Sequence, residues 1–86
     1  MLSVKVHKKA LKELNSLPPD AKGRILAACK LMANDPFDGD VKPLKGVAGV
    51  FRRRVGDYRI AFSVSFDQNE VLVLKVGRRG KFYNDM

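Results

Sequence analysis

The chain has 86 residues, is 45% hydrophobic and carries a formal net charge of +8 at pH 7. That length allows one small domain over residues 1–86 with a modest core, and that apolar content excludes a disordered basic tail. The positive surplus narrows the partners to nucleic acid, an acidic protein or an anionic membrane surface.

No apolar stretch approaches the roughly 20 residues that cross a bilayer, and Met1 leads directly into an alternating segment. The expectation is a cytoplasmic protein with no signal peptide and no membrane anchor. One histidine and one cysteine make a zinc site improbable and an internal disulfide impossible, so no metal or cofactor is expected.

In chain order, Leu2, Val4 and Val6 alternate with Ser3, Lys5 and His7, the period of a short strand. Ala10, Leu11, Leu14 and Leu17 then recur at helical spacing, with Lys8, Lys9 and Lys12 turned to water and His7 at the helix start. Pro18-Pro19 ends this helix, and the second proline suits the first turn of the next. The second helix runs to about Asn34, burying Ile25, Ala28, Cys29 and Met32, and Asp35-Pro36 closes it. Cys29 inside that stripe reads as an inert, buried thiol.

Residues 36–49, broken by Pro36, Gly39, Pro43, Gly46 and Gly49, read as a long connection. Three strands follow, joined by turns at Gly56-Asp57 and Asp67-Gln68-Asn69. Tyr58, Ile60, Phe62, Val64 and Phe66 form one apolar row, and Leu72, Leu74 and Val76 form another against Val73, Lys75 and Gly77. The fold class is α+β: an antiparallel-rich sheet of about four strands in the order β-α-α-β-β-β, with a helical hairpin on one face.

Six of the seven arginines lie in Phe51–Arg59 and Val76–Tyr83. Side chains alternate across a strand, so Arg52 and Arg54 point away from Phe51 and Val55, and Arg59 points away from the apolar row. Continuing the count through the last strand adds Lys75 and Arg79 to the same open face. Arg53 falls on the core side, where it is expected to snorkel past the sheet edge. Guanidiniums donate paired hydrogen bonds to phosphate oxygens, and converging cations repel one another unless an anion sits among them. The pattern asks for a polyanionic ligand.

The order strand, helical hairpin, Leu44-Lys-Gly46, basic strand, Val55-Gly-Asp-Tyr-Arg59-Ile and Val76-Gly-Arg-Arg79, with Tyr83 four residues on, resembles the RelE branch of the RelE/ParE toxins over nearly the full chain. The resemblance implies a toxin of a type II toxin–antitoxin pair that enters the ribosomal A site and cuts mRNA. It implies a cognate RelB-like antitoxin as partner, along with the ribosome and mRNA, and no small-molecule cofactor. Carried over by position, it implies Arg52, Arg54, Arg59, Arg79 and Tyr83 as catalytic residues, and Lys45, Lys75, Arg78 and Lys81 as RNA-binding residues.

The chemistry implied is attack of a ribose 2′-OH on the adjacent phosphorus. Many relatives carry lysine on the second strand or histidine before the terminal arginine, where this chain has Arg52, Arg54 and Arg78. Arginine stays protonated, so it is poorly suited to be the base. Tyr83, Lys75 and Lys81 are the candidates for proton transfer. The preferred reading is positioning and charge from Arg59 and Arg79, with Tyr83 stacking on a base. Two alternatives stand beside it: a ParE-like, non-enzymatic inhibitor of DNA gyrase, and a catalytically weak member that binds RNA or antitoxin without cutting.

Overall fold

A computed structural model describes residues 1–84. Its elements are β1 (Ser3–Val6), α1 (Lys8–Asn15), α2 (Pro19–Asn34), β2 (Val41–Pro43), β3 (Phe51–Val55), β4 (Tyr58–Ser65), β5 (Glu70–Arg78) and α3 (Arg79–Asn84). The strands form one sheet in the order β1-β5-β4-β3-β2, with β1 parallel to β5 and every other pair antiparallel. The helical hairpin therefore carries the chain from one sheet edge to the other and covers one face on the way.

Local chemistry sets the helix ends as expected. His7 Nδ1 accepts from the Lys9 amide at 3.2 Å, the side-chain cap that starts α1. Pro19 opens α2, where its missing N–H costs nothing. Ala10 and Leu14 of α1, with Ala21, Ile25, Ala28, Cys29 and Met32 of α2, meet Tyr58, Ile60, Phe62, Val71, Val73 and Val76 of the sheet. Burial pushes the Cys29 thiol up from its ordinary range, against a smaller lowering by the neighbouring Arg53 guanidinium. A neutral, inert thiol results.

The sheet has five strands, one more than the sequence suggests. The extra strand, β2, lies inside the expected long connection and pairs Val41 with Arg53 and Pro43 with Phe51. It is an edge strand of three residues, the position where a proline is tolerated. Gly39, at φ +93°, turns the chain into it; a Cβ there would crowd the Arg53 guanidinium. Arg53 itself is buried beneath this loop, and its Nη1 donates to the Asp38 carbonyl at 2.6 Å. It does not snorkel out to solvent.

Strand β5 also corrects the expected parity. Ala61 faces Lys75 and Phe62 faces Val73, so Leu74 is a bulged extra residue with no partner. Before the bulge the faces are exchanged: Val71 and Val73 are buried against the helices, and Leu72 and Leu74 are half-buried on the other side. After it, Val76 and Lys75 sit on their expected faces. Phe66, expected in the apolar row of β4, lies past the strand end and is 67% exposed.

The face away from the hairpin is not fully open either. Leu44, Ala61 and Phe82, with Val50 and Leu74 against them, form a second small apolar cluster there. Phe82 belongs to α3, where the alternation count instead continues the last strand through Arg79. Among the described residues no helix is long and apolar enough to cross a membrane.

Candidate nucleic-acid interface

The β3–β4 turn organises the cationic residues. Gly56 holds φ +58°, and a Cβ there would overlap Nη2 of Arg24 from α2. The tight turn brings Arg54 and Arg59 directly opposite each other across the two strands. Like charges so placed repel. Arg59 relieves this by folding back, its Nη1 donating to the Gly56 and Tyr58 carbonyls, both at 2.9 Å. It is only 7% exposed, so it forms the floor of the site and not an open ligand.

Helix α3 adds the next pair. The Arg79 amide donates to the Asp57 carbonyl at 2.8 Å, which fixes the helix start beside the turn. Arg79 is therefore the first helical residue, not a strand residue as the sequence count has it. Residues four apart share a helix face, so Arg79 and the 44%-exposed Tyr83 stand together while Phe82 is buried in the sheet. The Phe82 and Tyr83 rings meet edge to face, with centroids 5.1 Å apart.

The other expected residues are more dispersed. Arg52 lies further along β3 and is held by Asp40 at 3.1 Å. Arg78 is exposed, 6.0 Å from the Tyr58 ring centre, and Lys81 and Lys45 are exposed. Lys75, expected among the RNA ligands of an open face, is 5% exposed and inside the structure. Its Nζ donates to the Phe82 carbonyl at 2.7 Å. Arg24 was not among the expected residues, because nothing in a helical stripe signals which turn its exposed side will meet.

A cleft of about 380 Å³ opens between the end of α1, the edge of β5 and α3, with Glu13, Tyr58, Arg78 and Lys81 among its walls. Glu13 accepts from the Val76 amide at 3.1 Å, beyond the last β1–β5 pair at Val6 and Val73. Among the described residues the ion pairs are Lys5–Glu70 and Arg52–Asp40. Arg54, Arg78, Arg79 and Lys81 have no such partner among them, so this end of the sheet keeps a concentrated positive field. No group of three or more potential metal ligands occurs among the described residues.

The fold is a helical hairpin on one face of a small mixed sheet, with Arg54 and Arg79 beside a tight turn and in no ion pair among the described residues. The family model for the ParE toxin of the type II toxin–antitoxin system parDE matches residues 4–83. The RelE1 protein of Methanocaldococcus jannaschii, which carries a provisional toxin name, is 30% identical over 96% of each chain. The chain belongs to the RelE/ParE family of toxins from type II toxin–antitoxin systems.

Solved structures agree. The archaeal RelE–RelB complex of Pyrococcus horikoshii matches with a TM-score of 0.78 and 33% identity, covering 93% of this chain and 97% of that one. The RelBE2 toxin–antitoxin complex of Mycobacterium tuberculosis matches with a TM-score of 0.82 and 26% identity, covering 91% and 98%.

Proposed function

We propose that this toxin is a ribosome-dependent endoribonuclease that cuts mRNA in the A site and so halts translation. The observation that carries the reading is the convergence of Arg54, Arg59 and Arg79 on one turn, with no carboxylate partner among the described residues and with Tyr83 one helical turn from Arg79. In the reaction the 2′-oxygen forms a bond to the adjacent phosphorus and the bond to the 5′-oxygen breaks. The 2′-OH proton passes to water and the departing 5′-oxygen is protonated, leaving a 2′,3′-cyclic phosphate and a 5′-OH strand. Arg79 and Arg54 take the developing negative charge, and the buried Arg59 strengthens the field from below.

Tyr83 fixes the sugar geometry by stacking on a base. Tyr83→Phe keeps the ring and should retain most activity, whereas Tyr83→Ala should lose much of it. Equal loss in both variants would assign the phenol to proton transfer.

Mapping mRNA ends in cells expressing the toxin alone tests the reaction: cuts within codons are expected, with DNA supercoiling unchanged. The matching family model is that of the ParE toxins, which keeps the gyrase reading as the competitor. Intact mRNA with altered supercoiling would select it.

The partner follows from charge. The neighbouring structures are RelE–RelB and RelBE2 complexes. A cognate antitoxin here would cover the arginine cluster with an acidic or amphipathic segment. Its affinity should fall as salt rises, and its binding should exclude RNA. A complex that still binds and cuts mRNA would overturn inhibition by masking.

A further inference from the structure

Helix α3 has six residues, far too few to hold helical shape alone. Its start is tied by the Arg79 amide on the Asp57 carbonyl, and its middle by Phe82, fully buried in the small cluster with Leu44 and Ala61. Lys75 supplies a tie towards the other end. From β5, opposite Ala61, its Nζ reaches the Phe82 carbonyl at 2.7 Å and stands 5.3 Å from the Phe82 ring centre.

A lysine at this place is unexpected on packing grounds. Burying an ammonium is costly, and the neighbouring side chains are apolar. The geometry repays that cost through α3: a cation meets a carbonyl near a helix C-terminus, where the helix dipole is negative, and an aromatic face beside it.

We propose that Lys75 is a positioning residue, a strut that fixes the rotation of α3 so that Arg79 and Tyr83 present themselves together to the RNA. It does not touch the substrate. The inference rests on the endonuclease reading for its effect on rate, but not for its effect on α3.

The test compares the full-length toxin with Lys75→Met, which keeps the apolar stem, and with Lys75→Arg and Lys75→Gln, which keep a donor. Amide hydrogen exchange at Phe82 and Tyr83 should speed up by about tenfold or more in Lys75→Met, and by less in the donor-keeping variants. On programmed ribosomes, kcat should fall about 10–100-fold in Lys75→Met with KM nearly unchanged, the mark of misplaced groups. Lys75→Arg or Lys75→Gln should recover part of it. In an Arg79→Ala, Tyr83→Ala background, Lys75→Met should add little further loss.

A raised KM with unchanged kcat, multiplying in full with the loss of Arg79 and Tyr83, would make Lys75 an RNA ligand and overturn the proposal. Unchanged exchange at Phe82 and Tyr83 would overturn it too. A wild-type protein that cuts no mRNA would sink the endonuclease reading, and exchange would still decide the strut. If Lys75→Met does not fold, the Lys75→Gln exchange profile decides in its place.

Discussion

Replacing Arg79 with alanine should slow single-turnover cleavage of mRNA on programmed ribosomes by about 10²–10³, roughly 3–4 kcal/mol of barrier. The reason is placement. Arg79 opens α3 with its backbone fixed to Asp57 at 2.8 Å, so the origin of its side chain is set beside the turn before the phosphorane forms. Arg79→Lys restores the charge without the paired donors and should recover activity only in part.

Arg59→Ala is a different experiment. It also removes the donor that satisfies the Gly56 and Tyr58 carbonyls, so activity and thermal midpoint should fall together. The Arg79 variant should leave the midpoint near wild type, because that side chain is exposed. If Arg79→Ala cleaves at the wild-type rate in a fully folded protein, the cationic turn is not the active site.

Much of the fold was legible because strong periodicities carry it. The helical hairpin, the Pro19 start and the Gly56 turn each rest on one local rule, and each stands where that rule puts it. What the sequence hid are features set by partners distant along the chain. Strand β2 is three residues long, ends on Pro43 and lies between Gly39 and Gly46, and it becomes a strand only because β3 offers an edge to pair with. The bulge at Leu74 leaves no composition signal, since Leu72 and Val73 are equally apolar and either could face the core.

The candidate site shows the same division. Strand parity put Arg52, Arg54 and Arg59 on one face, and the direct opposition of Arg54 and Arg59 agrees. Parity could not show that α3 would fold back over that face. Phe82 is what draws it down, burying Lys75 that the alternation placed in the open. Two aromatics after a glycine-containing basic stretch are a weak helix signal, because the stability of such a short helix comes from packing and not from propensity.

Phe62→Ala should cost about 3–5 kcal/mol, a large share of the roughly 5–15 kcal/mol that stabilises a small domain. Phe62 is wholly buried, and its ring centre lies 5.9 Å from that of Phe51 and 6.5 Å from that of Phe37. Truncation removes the apolar contact and leaves a cavity between sheet and helices that the rigid β4 backbone cannot fill. Phe66→Ala offers the control, since the same alternation places it in the same row. At 67% exposed, with Phe37 at 6.4 Å beside it, it should cost well under about 1 kcal/mol.

Two further variants test the bulge itself. Val73→Ala, at 1% exposed, should cost about 2 kcal/mol, and Leu72→Ala should cost less although it deletes a larger side chain. Denaturant midpoints at constant m-value read all four. A harmless Val73→Ala beside a damaging Leu72→Ala would restore the unbroken alternation of β5. That alternation also leaves Lys75 on the face away from the helices, so the tie that holds α3 over Ala61 stands or falls separately from the bulge.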